Sequence, residues 1–224
     1  MRALAVLALI FWSGIAQAVP LAQEDPRGLA QFSAAHPNAL APLQAGDAAL
    51  SAGQFTTALA LFDDADANAP GTAIVERKRC QALLGLGRRA DALTACETAI
   101  NAGGQAALDL RTKVSALMSG SSAPTPEEAS EAYWLARLAS TLPGEPWGYA
   151  AFSEIAQRIG DPVLWARSVA ELQRIAPNHF ETKAAVLRAG SADRWHVKAM
   201  VWVLLIGASL ATAMHAARRQ RQPA

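Results

Sequence analysis

Chemistry in this chain would have to come from four histidines, two cysteines and a cluster of aspartates. His36, His179, His196 and His215 are scattered, and no two sit at a metal-ligand spacing. Asp63, Asp64 and Asp66 crowd together. A calcium loop needs alternating oxygen ligands, a glycine bend and a later glutamate, so the cluster reads as a solvated acidic face. Gly85-x-Gly87 and Gly103-Gly104 read as helix-ending turns, not as phosphate cradles. With no Ser/His/Asp ordering and no Cys-x-x-Cys pair, nothing points to an enzyme, a cofactor, a metal or a small-molecule substrate. Cys80 and Cys96 remain. In an oxidising compartment such a pair bridges, and in a packed interior two thiols act as small apolar packers; both readings stand at this point.

The surroundings of these residues are rich in alanine and leucine. Hydrophobic residues make up 52% of the 224 but aromatics only 6%, a balance that suits close-packed helices better than strands. Net charge is +1 overall, yet it is unevenly placed. Residues 19–194 carry 15 Lys and Arg against 19 Asp and Glu, a balance of −4. A mildly acidic middle lacks the basic face that replaces phosphate counterions, which argues against nucleic acid as a partner.

Both ends read as membrane-directed. Met1-Arg2, an apolar run over 3–12 and the small-x-small triplet Ala16-Gln17-Ala18 predict a secretory signal peptide over 1–18. Residues 199–214 carry no charge, and extending that run to 217 gives 19 residues, about 28 Å of helix at roughly 1.5 Å per residue. Lys198, Trp195 and Trp202 suit the near interface. A transmembrane helix is therefore expected over 195–217, after a short linker at 191–194. The tail at 218–224, with Arg218, Arg219 and Arg221, places the C-terminus on the cytoplasmic side. Gly207 and Ala211, four apart, give the span a small-residue face for helix–helix contact.

Between the ends the sequence repeats. Gly53 and Gly87, Ala58 and Ala92, Ala65 and Ala99, Ala132 and Ala166, Ala136 and Ala170, and Pro143 and Pro177 all stand 34 apart. A fixed period of this length marks stacked helical hairpins. The stretch 46–70, GDAALSAGQFTTALALFDDADANAP, resembles a tetratricopeptide repeat at Gly46, Gly53, Phe55, Ala58, Phe62, Ala65 and Pro70. The next copy keeps Gly87, Ala92 and Ala99 but has Cys80 for the first small residue and Cys96 for the aromatic. The last keeps Gly160, Ala166 and Pro177. The resemblance implies an all-α solenoid over 39–190, with hairpins at 39–70, 73–104, 105–143 and 146–177 and a capping helix from about His179 to Ala189. Residues 19–38 form an N-terminal segment, with a cap over 26–35. The third hairpin departs from the pattern, because the run SGSSAPTP at 119–126 stands where a tight turn belongs.

In repeats of this family the first helices of successive hairpins line a concave groove. The resemblance therefore implies partly exposed Leu43, Asp47 and Leu50, then Arg77, Gln81 and Leu84, suited to an extended peptide or a partner helix. Cys80 and Cys96 lie 7 residues before and 9 after Gly87, at similar height on facing helices. The expected role is a membrane-tethered scaffold or adaptor for protein partners in envelope assembly or maturation, at the bacterial inner membrane with the solenoid in the periplasm. The Ala- and Arg-rich composition without an Asn-x-Ser/Thr sequon leans towards bacteria. Two other roles fit the same features: a structural subunit held by its transmembrane helix, and an accessory, non-catalytic component of an envelope enzyme system.

Overall fold

Several helix starts in this chain are written as a capping side chain followed by proline. Proline has no N–H to waste at the first helical position, and the preceding oxygen accepts from the N–H groups that the first turn leaves unpaired. Asp25 Oδ1 accepts from the Gly28 amide at 2.8 Å ahead of Pro26. Asp161 Oδ1 accepts from the Val163 and Leu164 amides, both at 2.9 Å, ahead of Pro162. Thr125 and Glu128 form a reciprocal box around Pro126: Glu128 N donates to Thr125 Oγ1 at 3.2 Å, and Thr125 N donates to Glu128 Oε2 at 2.9 Å.

The computed structural model describes residues 20–103, 106–120, 122–142 and 145–188. The signal peptide expected at 1–18, the linker at 191–194, the span at 195–217 with Gly207 and Ala211, and the tail at 218–224 lie outside the described residues. Every regular element among the described residues is an α-helix, in the order α1 Leu21–Glu24, α2 Pro26–Ala35, α3 Pro37–Ser51, α4 Phe55–Asn68, α5 Ala73–Gly85, α6 Arg89–Ala102, α7 Ala107–Met118, α8 Pro126–Ser140, α9 Trp147–Ile159 and α10 Pro162–Ile175. Residues 180–188 are also helical. Among the described residues no helix is long and apolar enough to cross a membrane.

The chain divides into two compact units between Ser122 and Ala123. The third expected hairpin, 105–143, is thereby split: α7 belongs to the first unit and α8 to the second. The run at 119–126 is the physical reason. Pro124 and Pro126 lack the donor that a continuing helix needs, and the run's small side chains give α7 and α8 little apolar surface to pack across.

In the first unit α3 packs on α4, and α5 on α6, across two turns of the same construction. Gln54 N reaches Ala49 O at 2.9 Å and Gly53 N reaches Leu50 O at 3.0 Å; Arg88 N to Leu83 O and Gly87 N to Leu84 O repeat those distances. This double bond pattern requires a left-handed residue, supplied by Gly53 at φ 73° and Gly87 at φ 72°. Inside the first hairpin Gly46 lies against the fully buried Phe62. Thirty-four residues on, the same two places are taken by Cys80 and Cys96, which form a disulfide with Cα atoms 5.4 Å apart. A small–aromatic contact in one hairpin is replaced by a covalent bond in the next. The rest of the interior is largely alanine: Ala58, Ala65, Ala92, Ala95, Ala99 and Ala116 are all buried, letting the helices approach closely.

In the second unit α9 packs on α8 and on α10. Trp147 stands edge-on to His179 with ring centroids 5.0 Å apart and meets Phe180 at 5.7 Å. Burial pulls the His179 imidazole below its usual range, although Glu181 and Glu145 work the other way. The residues that begin the 180–188 helix are thus held by aromatic packing onto the start of α9.

Two outcomes test this account. Gly→Ala in a helix interior normally stabilises by roughly 0.5–1 kcal/mol. A Cβ at Gly46 would stand 2.5 Å from the Phe62 ring, so Gly46→Ala should instead destabilise by about 1–2 kcal/mol, through overpacking. Urea midpoints measure it, and Phe62→Leu in the same chain should recover part of the loss. Reducing the Cys80–Cys96 bridge, which closes a sequence separation of 16, should cost about 3 kcal/mol of stability. Mass spectrometry of alkylated, unreduced protein should find no thiol adducts; two per chain would exclude the bridge.

Candidate functional site

Three consecutive cations, Arg77, Lys78 and Arg79, lie in α5. At about 100° per residue all three cannot share one face, so each side chain needs its own partners. Arg79 turns towards α4 and pairs with Asp63 at 2.9 Å and with Glu76 at 2.8 Å. Arg77 and Lys78 turn the other way, into the interior, with side chains only 3% and 0% exposed.

Burying a charge is tolerated only where it is paired and hydrogen-bonded. Lys78 Nζ lies 2.9 Å from Asp47 Oδ1 of α3 and 2.7 Å from Glu24 Oε2 of α1. Arg77 Nη1 donates to Asp109 Oδ1 of α7 at 2.6 Å, and its Nη2 donates to Asp25 Oδ2 at 2.7 Å. Burial would weaken the Arg77 charge, but the carboxylates of Asp109, Glu24 and Asp25 outweigh it and hold the guanidinium protonated more firmly than usual. The Asp109 carboxyl, 1% exposed, is pushed up by burial more than Arg77 pulls it down, and Asp25 and Glu24 add to the push. These two cations tie together α3 and α5, the first helices of two successive hairpins, and α7, the helix that follows them.

Across that face lies the chain's own N-terminal segment, residues 20–25. The Leu21 amide donates to Asp47 Oδ2 at 2.6 Å, and Gln81 Nε2 donates to Glu24 Oε1 at 2.9 Å. The Leu21 side chain, 1% exposed, joins the cluster that holds Leu43 and Leu50. One apolar anchor and two acids three and four residues later thus engage α3 and α5 together.

The residues that the resemblance assigns to a groove therefore fall on one face, but not in the exposed state expected. Leu43, Asp47, Leu50 and Arg77 are buried, and only Gln81 and Leu84 keep partial exposure. The physical reason is the covering segment. Asp47, Arg77 and Gln81 bond it directly, while Leu43 and Leu50 pack in the same cluster as Leu21. Sequence reasoning missed Glu24, Asp25, Lys78 and Asp109. One signal was present: at the 34-residue spacing Arg77 takes the place of Leu43, an inward position, and a cation there demands buried carboxylates.

A second concavity, of about 350 Å³, is lined on α4, α5 and α6 by residues including Asp63, Glu76, Arg79, Arg88 and Asp91. Its charges answer one another, through the two Arg79 pairs and through Arg88 with Asp91 at 2.7 Å. Among the described residues no group of three or more His, Cys, Asp or Glu is placed to hold a metal ion. No protein-family model, curated protein or solved structure matches this chain.

Proposed function

We propose that this chain is a membrane-tethered scaffold of tetratricopeptide-like hairpins, exported to the bacterial periplasm and anchored by the helix expected at 195–217, which binds a protein partner on the α3–α5–α7 face. The observation that carries this reading is that the face already holds a peptide segment. Residues 20–25 bury a leucine side chain there, and their acids meet Arg77, Lys78 and Gln81. The 34-residue spacing and the tetratricopeptide-like positions support the repeat architecture. The apolar stretch with its arginine-rich tail supports the anchor and its orientation. Tethering concentrates the binding face at the membrane, which raises effective concentration without new contacts.

Reporter fusions test the topology. An enzyme active only outside the cytoplasm should work when fused after Ala189 and be silent after Ala224; the reverse pattern overturns the envelope assignment. Photo-crosslinking in the native membrane tests the binding face. A photoreactive residue replacing the half-buried Leu84, one turn beyond Gln81 on α5, should give discrete protein adducts, and one replacing the exposed Thr94 on α6 should give few. Equal yields from both positions would sink the groove as the binding surface.

A further inference from the structure

We propose that residues 20–25 are an intramolecular plug, and that the partner displacing them is an acidic peptide segment of the same pattern, an apolar residue followed three and four residues later by two carboxylates. This rests on reading the α3–α5–α7 face as a binding surface, and it names both the occupant and what must leave first.

The division of the carboxylates makes the plug removable. Lys78 and Arg77 each have one acid from the face itself, Asp47 and Asp109, and one from the segment, Glu24 and Asp25. When the segment lifts away, neither cation loses all its pairing, so opening strands no bare charge in the interior. The acids of α3 and α7 belong to the fold; those of residues 24 and 25 are exchangeable.

The fit of the plug is also incomplete. Arg77 Nε is buried with no hydrogen-bond partner among the described residues. It is a donor that the present occupant leaves unmet, and a ligand that brings an acceptor oxygen to it gains over the plug. The segment is short, with a four-residue helix between Pro20 and Pro26, and its side-chain hold on the face runs through one leucine and two acids. A partner must present carboxylates in the same places, because an uncharged peptide forgoes the pairing that the plug offers to two buried cations.

The test uses the full chain in nanodiscs and a fluorescein-labelled peptide of residues 19–30, VPLAQEDPRGLA. Glu24→Gln with Asp25→Asn weakens the plug while keeping an N-cap at 25. By anisotropy this variant should bind the peptide about tenfold more tightly than the wild type, whose face is mostly occupied. The same peptide with its acids replaced by amides should not bind. A variant that melts cooperatively yet binds no tighter overturns the plug, and equal binding of the amide peptide overturns the charge pattern. Should the variant fail to fold, hydrogen exchange on the wild type decides. Excess acidic peptide should speed exchange at the amides of residues 21–25 and leave α6 unchanged, and unaltered exchange at saturating peptide overturns the proposal. Dimers in which residue 23 of one copy crosslinks to residue 81 of another would make the displacing partner a second copy, and overturn it too. Adducts at Leu84 in native membranes without any acidic-peptide binding would leave the scaffold standing and remove only this inference.

Discussion

Placing an ammonium and a guanidinium side by side in the interior of one short helix constrains everything packed around it. Lys78 and Arg77 leave α5 for a region with almost no solvent, where an unpaired charge would cost several kcal/mol. The fold answers with carboxylates from α1, α3, α7 and the residue that opens α2. Such pairs add little net stability, since desolvation offsets most of their attraction, but removing one member of a buried pair costs about 3–5 kcal/mol. Their effect is to dictate which segment lies on the face and in what register. Residues 20–25 sit where they do because that is where the carboxylates are required.

What these ion pairs do not supply, close approach does. The hairpin α3–α4 gains proximity by having no side chain at Gly46, where the Phe62 ring fills the space. The hairpin α5–α6 lacks that aromatic at the equivalent place and uses the Cys80–Cys96 bridge instead. The substitution makes sense beside the buried cations. α5 carries Arg77 where α3 carries Leu43 at the 34-residue spacing, so it contributes less hydrophobic burial there, and a covalent tie to α6 restrains it in another way. In the second unit the same need is met by rings, with Trp147, His179 and Phe180 packed together.

How much of this was legible in the sequence follows the range of the interaction. Local signals read well: Asp25-Pro26, Thr125-Pro126 and Asp161-Pro162 mark helix starts, and the expected cap at 26–35 coincides with α2. The tetratricopeptide resemblance also assigned Leu43, Asp47, Leu50, Arg77 and Gln81 to one face, and these are the residues that meet the segment 20–25 or share its apolar cluster. It does not say what covers that face. Arg77 finds Asp25 across 52 positions and Gln81 finds Glu24 across 57, and no periodic signal links residues so far apart. The run Arg77-Lys78-Arg79 looks like a solvated charge cluster until those partners are known. α1 is equally silent: four residues between two prolines are too few to show a period.

The burial of this face bears on what kind of binding surface it can be. An open hydrophobic groove accepts any apolar peptide of suitable shape, and it also exposes apolar surface that invites association with unrelated chains. Here the apolar part, around Leu43 and Leu50, is covered, and the polar part holds charges that only carboxylates answer well. The two features act on different steps. If the face binds a partner as proposed, covering the leucines keeps the unliganded chain from sticking indiscriminately, and the buried cations decide which ligand is worth the desolvation. A single leucine side chain contributes roughly 1.5–3 kcal/mol when fully buried. Ordering a flexible backbone costs about 1–2 kcal/mol per residue. Leu21 alone therefore falls short of ordering six residues, and the Leu21 amide bond and the pairs at 24 and 25 fix where the segment lies. In the proposed binding role, selectivity for charge follows from that shortfall in apolar burial.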